Sequence, residues 1–476
     1  MLRLVMAKRR KPSASPLVFF LVLGAALALL IDARAPQPIL AAEPDCGFEL
    51  GFKTLRDLIP AIVGDCREPQ WHDPISGDAL QQTTGGLMVW RKADNWTAFT
   101  DGSTTWINGP VGLASRPNGG PLFRWEAATP VEAAPASGFT HGPLLGAVTD
   151  TTVKVWARSD GPGRLQIQVK KDNEPWPGKT VGDAQLEGRL DFTGVVDVAG
   201  LAPATSYDYR LLLNGVVQPD FGGSFRTLPP VDKSGTTRFV LGADMSAAHA
   251  PFTILDRAGE QRPHFALFLG DLIYADQPEL IPADTEAYAQ KYRANWSDPG
   301  FRGLTRNVPA FMIWDDHEII NDYDSGKTGR YVPARAALEA YVASHNPAPL
   351  QPGELYFTFE AADVDFFVLD TRSFRSPRAT PDNATKTMLG PEQKTALKDW
   401  LANSRAPFKV VASSVAFHDL APQRPDAWNG YGTERAELFD FIREKGIRGV
   451  VLLSGDQHWS SLVRHEPLGI WEFSAT

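Results

Sequence analysis

From Gly138 to Leu228 the chain alternates apolar and polar positions with period two. Val153-Lys154-Val155-Trp156-Ala157-Arg158, Leu165-Gln166-Ile167-Gln168-Val169 and Tyr207-Asp208-Tyr209-Arg210-Leu211 show it best. Alternation interrupted by turn signals predicts an antiparallel β-sandwich. From Thr237 onward the pattern changes. Apolar runs at Phe239–Leu241, Phe265–Leu269, Ala310–Trp314, Val410–Ala412 and Val450–Leu453 alternate with helical stretches at Ala334–Ser344, Pro391–Ala402 and Thr433–Glu444. Strands alternating with helices predict a layered α/β domain. Upstream, Cys46 to Glu132 carries short aromatic and β-branched runs such as Leu87-Met88-Val89-Trp90 and Trp96-Thr97-Ala98-Phe99-Thr100, punctuated by Gly and Asn. These predict small strands and tight turns. An Ala/Pro-rich stretch, Ala127 to Ser137, reads as a linker. The expected organisation is therefore a β-rich module at 43–132, a β-sandwich at 138–230 and an α/β domain at 236–476.

The first residues behave differently again. Arg3, Lys8, Arg9, Arg10 and Lys11 precede an uncharged apolar run from Leu17 to Ile31. That run is short for a membrane-spanning helix, which needs about 20 residues. The layout predicts a secretory signal within residues 1–42, with an uncleaved anchor as the alternative; both place the chain outside the cytoplasm. The chain's two cysteines, Cys46 and Cys66, are expected to pair in an oxidising compartment. A cysteine nucleophile is thereby excluded from the α/β half. The net charge of −9 argues against nucleic acid as a general partner. It does not exclude phosphoester substrates, because bound cations can reverse the sign of an acidic cleft. The Trp residues of the first module invite a cell-envelope ligand such as wall glycan, but filling a small core is the simpler role for them.

Candidate chemistry falls at the ends of the apolar strands, where open α/β sheets place their ligands. Gly270-Asp271-Leu272-Ile273-Tyr274 closes one strand, Trp314-Asp315-Asp316-His317-Glu318 the next, and Ser454-Gly455-Asp456-Gln457-His458 the last; Asp244 follows Phe239–Gly242. Each alone reads as a turn or a helix cap. Crowded carboxylates repel unless protonated or bridged by a cation. A dinuclear metal site accounts for all these strand ends at once, since two cations about 3.5–4 Å apart need ligands from several strands.

Together with Leu369-Asp370-Thr371-Arg372, and with Asp426-Ala427-Trp428-Asn429-Gly430-Tyr431 followed by Arg435, these motifs resemble the alkaline phosphatase D family of calcineurin-like metallophosphoesterases. The resemblance covers about Gly138 to Thr476. It implies a metallophosphoesterase-type layered α/β sandwich preceded by a fibronectin type III-like β-sandwich, whose connecting turn is Leu201–Tyr207, and by the small β-rich module. It implies that Asp271 bridges two metals, that Tyr274 is a phenolate ligand to Fe3+, and that Asp316, Asp456 and His458 bind metal, with Asp244 standing where the family often carries Cys. Fe3+ and Ca2+ are the metals it suggests. It also implies that His317 donates a proton to the leaving alkoxide while a metal-held hydroxide attacks phosphorus in line. Arg372 is a candidate for substrate phosphate or for an ion pair with Asp370. Asn321 is a further candidate for substrate and, with Asp322, for orienting the Asp315–Glu318 loop. The partner implied is a small phosphoester.

His418 is a weaker metal candidate, His249 is expected to be structural, and His465 to be solvated. Glu472-Phe473-Ser474-Ala475-Thr476 is similar to the start of a motif that leads further in relatives, so a closing segment is expected beyond it. The alternative to an exported phosphatase or phosphodiesterase is a non-catalytic cell-surface binding protein with a degenerate hydrolase domain.

Overall fold

The computed structural model describes residues 46–72, 78–91, 96–109, 112–120, 134–231, 233–324, 328–419 and 425–475. The basic and apolar stretches before Cys46, and most of the expected linker, lie outside these. No helix among the described residues is long and apolar enough to cross a membrane.

The first region is a six-stranded antiparallel meander in sequence order, from Trp71–His72 to Gly112–Pro117, with the Leu50–Leu58 helix packed on it. Phe52 and Leu55 of that helix, three residues apart and so on one helical face, bury against Met88 and Phe99. Trp90 and Trp106 pack partly buried on this cluster, and the rings of Phe99 and Trp106 lie 5.5 Å apart. Trp90 and Trp106 therefore serve the core, while Trp71 is exposed. Cys46 and Cys66 are disulfide-bonded. The module is not free-standing: Val332 joins its core, and the Thr285 hydroxyl donates to the Leu113 carbonyl at 3.1 Å.

The strands between Phe139 and Arg226 form two facing sheets. One is Lys179–Leu186, Gly163–Lys171, Ser206–Leu213 and Val216–Arg226 in spatial order. The Tyr207 hydroxyl accepts the Ala202 N–H at 2.7 Å and pins the connecting turn, as in immunoglobulin-like sandwiches. The other sheet does not end with the sandwich. Thr193–Ala199, Thr152–Ser159 and Phe139–Gly146 continue through Ala310–Ile313 and Phe265–Leu269 to Phe239–Gly242, making one six-stranded sheet. Gly146 pairs parallel with Ala310 at the seam. Shared backbone pairing thus joins the sandwich to the α/β region, and the Trp156 indole N–H donates to the Ala340 carbonyl at 2.8 Å beside it.

The second six-stranded sheet of the α/β region runs Phe357–Ala361, Val364–Val368, Phe408–Ser413, Val450–Ser454, Ile470–Ser474 and Ser461–His465. Aromatic rings fill the space between the two sheets: Phe311 stacks on Phe359 at 3.8 Å, and Phe265 meets Phe366 edge-on at 5.5 Å. On the outer face, Leu397 and Leu401 of the Gly390–Asn403 helix and Leu438 and Ile442 of the Gly432–Glu444 helix cover Phe367, Val411 and Leu452. Strands buried on both faces read as continuous apolar runs, which is why the sequence shows them so clearly.

Three expectations need correcting. The Thr285–Trp296 helix, N-capped by Asp284 accepting from Ala287 N–H, was not anticipated because its polar residues mask a buried stripe of Tyr288, Tyr292 and Trp296. His465 is not solvated. Its Nε2 lies 2.8 Å from the Glu472 carboxylate, which is fully buried. His249 is exposed rather than structural.

Candidate metal centre

Four strand ends converge. Asp244, Asp271, Asp456 and His458 all take left-handed backbone conformations, with φ of 60°, 52°, 68° and 57°. Non-glycine residues rarely adopt this region, and such local strain gathers at functional sites. Gly270, at φ 93°, is required twice over: a Cβ there would lie 2.4 Å from the Asp315 Cβ. The turn after Phe265–Leu269 is thus pressed directly against the turn after Ala310–Ile313.

Three groups of potential ligand atoms, each within 4.8 Å, link into a chain: Asp244 with Asp271 and His458, Asp271 with Asp316 and His317, and Asp316 with Asp315 and Asp456. A fourth joins Asp316 to Asp322 and Asp426. The Tyr274 hydroxyl sits 3.4 Å from both Asp244 Oδ1 and His458 Nε2. All six residues expected to bind metal, namely Asp244, Asp271, Tyr274, Asp316, Asp456 and His458, are therefore in one neighbourhood, with His317 beside them.

Electrostatics mark the centre as short of positive charge. Burial, then Asp316 and Asp315, drives the Asp271 carboxyl well above the usual range. Burial and the same neighbours do so for Asp456. Burial, with Asp271 and Asp244, raises the Tyr274 phenol. Asp244 Oδ2, Asp271 Oδ2 and Asp316 Oδ1 are buried with no hydrogen-bond partner among the described residues. An orphaned buried carboxylate oxygen is costly. Oxygen donors, a phenol and an imidazole aimed at one space suit hard cations, so the residues present fit a metal cluster.

Three further residues organise the centre. Glu318, pushed up to about 8 by burial, accepts N–H groups from Asp271 at 3.2 Å, Leu272 at 2.5 Å and Asp315 at 2.8 Å, fastening the two turns together. His317 stacks on Tyr274 with centroids 4.1 Å apart, and its Nδ1 is 2.6 Å from Asp276. Burial alone would lower the imidazole, but the Asp276 bond and the nearby carboxylates outweigh it and raise it. The sequence reading passed over Asp276, although it stands two residues after Tyr274. Asn321 is exposed, with its backbone N–H donating to Asp276 at 2.6 Å, and Asp322 N–H donates to Asp316. These bonds tie the loop after His317 to the site.

Arg372 is not placed to meet a substrate. It is fully buried. Its Nε and Nη2 hold Asp315 at 2.6 and 2.8 Å, Nη2 reaches Asp426 at 2.8 Å, and Nη1 donates to the Tyr323 carbonyl at 3.2 Å. Every side-chain nitrogen is thereby committed, and the expected Asp370 ion pair gives way to Asp315 and Asp426. Asp370 instead accepts the Trp314 indole N–H at 3.0 Å and the backbone N–H of Arg372 at 3.0 Å. His418 is buried, 3.1 Å from the Ser461 hydroxyl, and joins none of the four ligand groups.

The chain is 26% identical over 383 residues to alkaline phosphatase D of Bacillus subtilis, covering 68% of this chain and 65% of that protein. It is 28% identical over 229 residues to purple acid phosphatase 23 of Arabidopsis thaliana, covering 41% and 48%. It thus spans less than two thirds of either relative. A solved structure of PhoD superposes with a TM-score of 0.63 at 23% identity, over 75% of this chain and 78% of that one. A purple acid phosphatase from yellow lupin gives 0.50 at 13% identity, over 82% and 71%. These two likenesses speak to the fold. The family model for the PhoD-like phosphatase N-terminal domain matches residues 125–229, and that for the PhoD-like phosphatase matches residues 239–476. The chain belongs to the PhoD-like phosphatase family.

Proposed function

We propose that the protein is an exported, metal-dependent hydrolase of phosphoric esters, of alkaline phosphatase or phosphodiesterase type. The observation that carries this reading is the set of buried carboxylate oxygens on Asp244, Asp271 and Asp316 that no hydrogen bond satisfies, arranged around Tyr274 and His458, with only Asp316 Oδ1 reached by a guanidinium, that of Arg372 at 3.6 Å. Asp271, shared between two ligand groups, would bridge a pair of cations. Asp244, Tyr274 and His458 would hold one of them, and Asp316 and Asp456 the second. Fe3+ and Ca2+ suit these hard donors. Such cations supply charge that draws electrons from the phosphoryl oxygens and favours ionised water near neutral pH. His317 holds the proton destined for the leaving alkoxide, and Asp276 orients the ring and keeps that proton on it. Asn321 is a candidate contact for the substrate. Export rests on the basic and apolar stretches before Ile31. The possibility of a cell-envelope ligand stays with residues 43–132.

The test is metal analysis of the purified protein together with hydrolysis of p-nitrophenyl phosphate and bis-p-nitrophenyl phosphate, with and without a chelator. Bound metal and chelator-sensitive turnover are expected. A metal-loaded protein inert on both esters would favour the binding-protein alternative.

A further inference from the structure

Beside the metal centre lies a cavity of about 690 Å3. Asp244, Tyr274 and His458 form one side of it. Much of the rest is apolar: Leu241, Phe252, Ile254, Leu255, Ala258 and Phe268. Its volume lies within the range of about 300–1,000 Å3 that small-molecule sites occupy. A hydrated phosphate alone makes no use of such walls, because apolar surface rewards only apolar groups. His317 does not line the cavity, although it stacks on Tyr274, which does. A leaving oxygen set next to the proton donor would then lie outside the cavity, which leaves the cavity to a group that stays on phosphorus.

Resting on the phosphoesterase reading above, we propose that this cavity takes the ester group that stays on phosphorus, and that the preferred substrates are phosphodiesters carrying one large apolar alkyl group. In the reaction the oxygen of water forms the new P–O bond and the P–O bond to the leaving alcohol breaks. His317 gives its proton to the departing oxygen, and a proton of the attacking water passes to solvent, from which His317 is reprotonated. The product is the alkyl phosphate monoester, whose chain has remained in the cavity.

Methyl, butyl and octyl p-nitrophenyl phosphates, used below their aggregation concentrations, share one leaving group and differ only in the retained chain. In the metal-loaded full chain, kcat/KM should rise about fourfold for each methylene that becomes buried, which corresponds to about 0.8 kcal/mol. Ala258→Phe, which fills the cavity, should flatten the series while sparing the methyl ester. Ile254→Ser provides a second reading that does not threaten folding, since Ile254 is 72% exposed; it should lower the octyl rate several-fold and spare the methyl ester. A flat series with good methyl ester turnover overturns the cavity proposal alone. So does a steep series that neither variant alters, or turnover of p-nitrophenyl phosphate with no diester hydrolysis. Failure to hydrolyse any of these esters overturns the phosphoesterase reading as well.

Discussion

Two buried acidic clusters in this protein reach opposite electrostatic states. Asp191 sits where the sandwich meets the α/β region and is bonded to Arg158 at 2.7 Å, to Arg293 and to the Tyr341 hydroxyl. Burial would raise its carboxyl, yet the Arg158 bond and charge hold it below the usual range. Asp426, clamped by Arg372 and Arg375, is likewise held down against burial. At the metal centre, Asp271 and Asp456 are driven well above that range. All are aspartates largely withdrawn from water, although Asp191 is less buried than Asp271, and the sign of the shift follows where the compensating cation comes from. At Asp191 the chain supplies its own guanidinium groups. At Asp271 no guanidinium or ammonium group of the described residues does so, Arg372 reaching only the neighbouring Asp315 and Asp316, and the deficit points to an external ion.

That contrast can be broken at either end. The largest effect should follow Asp271→Asn: metal content and turnover should both fall to background while the fold persists, as read by metal analysis and circular dichroism. Full metal occupancy in this variant would remove Asp271 as the bridge. His317→Ala should keep its metal and lose about 10²–10⁴-fold in kcat on esters with alkyl leaving groups. The loss should be smaller with p-nitrophenyl esters, whose leaving oxygen needs less help from an acid. Equal losses on both would make His317 a structural residue.

Asp191→Ala tests the opposite case. Breaking a buried pair costs about 3–5 kcal/mol, so urea denaturation should reveal a large loss of stability with unchanged metal content. Chelation of the wild-type protein should also lower Tm, since a ligand at a thousandfold its Kd stabilises by about 4 kcal/mol. The Asp191 variant should retain that chelator sensitivity.

The smallest expected effect is a pH dependence near the sheet seam. His345 is fully buried against Gly146, and burial pushes its imidazole down to about 3. The folded state thus holds the ring neutral, while the unfolded chain takes up a proton near 6.5. Stability from this group is present above about pH 6.5 and is lost as pH falls from there toward 3. Between pH 7.5 and 5.5 the loss should be about 1.4 kcal/mol. His345→Phe should shrink that slope in urea titrations; an unchanged slope would assign it elsewhere.

The motifs after Phe265–Leu269, Ala310–Ile313 and Val450–Ser454 were legible because each follows a run of largely buried apolar residues, a pattern that locates a strand and its end without a partner sheet. The helices at Gly390–Asn403 and Gly432–Glu444 were legible to within a residue at either end. The Thr285–Trp296 helix was not read, though Asp284 and the spacing of Tyr288, Tyr292 and Trp296 were available in the sequence. The pairing of Cys46 with Cys66 followed from there being only two cysteines.

The amino-acid order by itself singled out the candidates for the chemistry, since period, strand ends and residue type are local properties. It also determined the kinds of layer the chain builds. Only the tertiary structure decided which carboxylates are neutralised internally. Arg372 and Asp315 are 57 positions apart in sequence, and Arg293 and Asp191 are 102 apart. The spacing of charges along the chain contains no information about such meetings, because an ion pair depends on distance in space and on the water excluded around it.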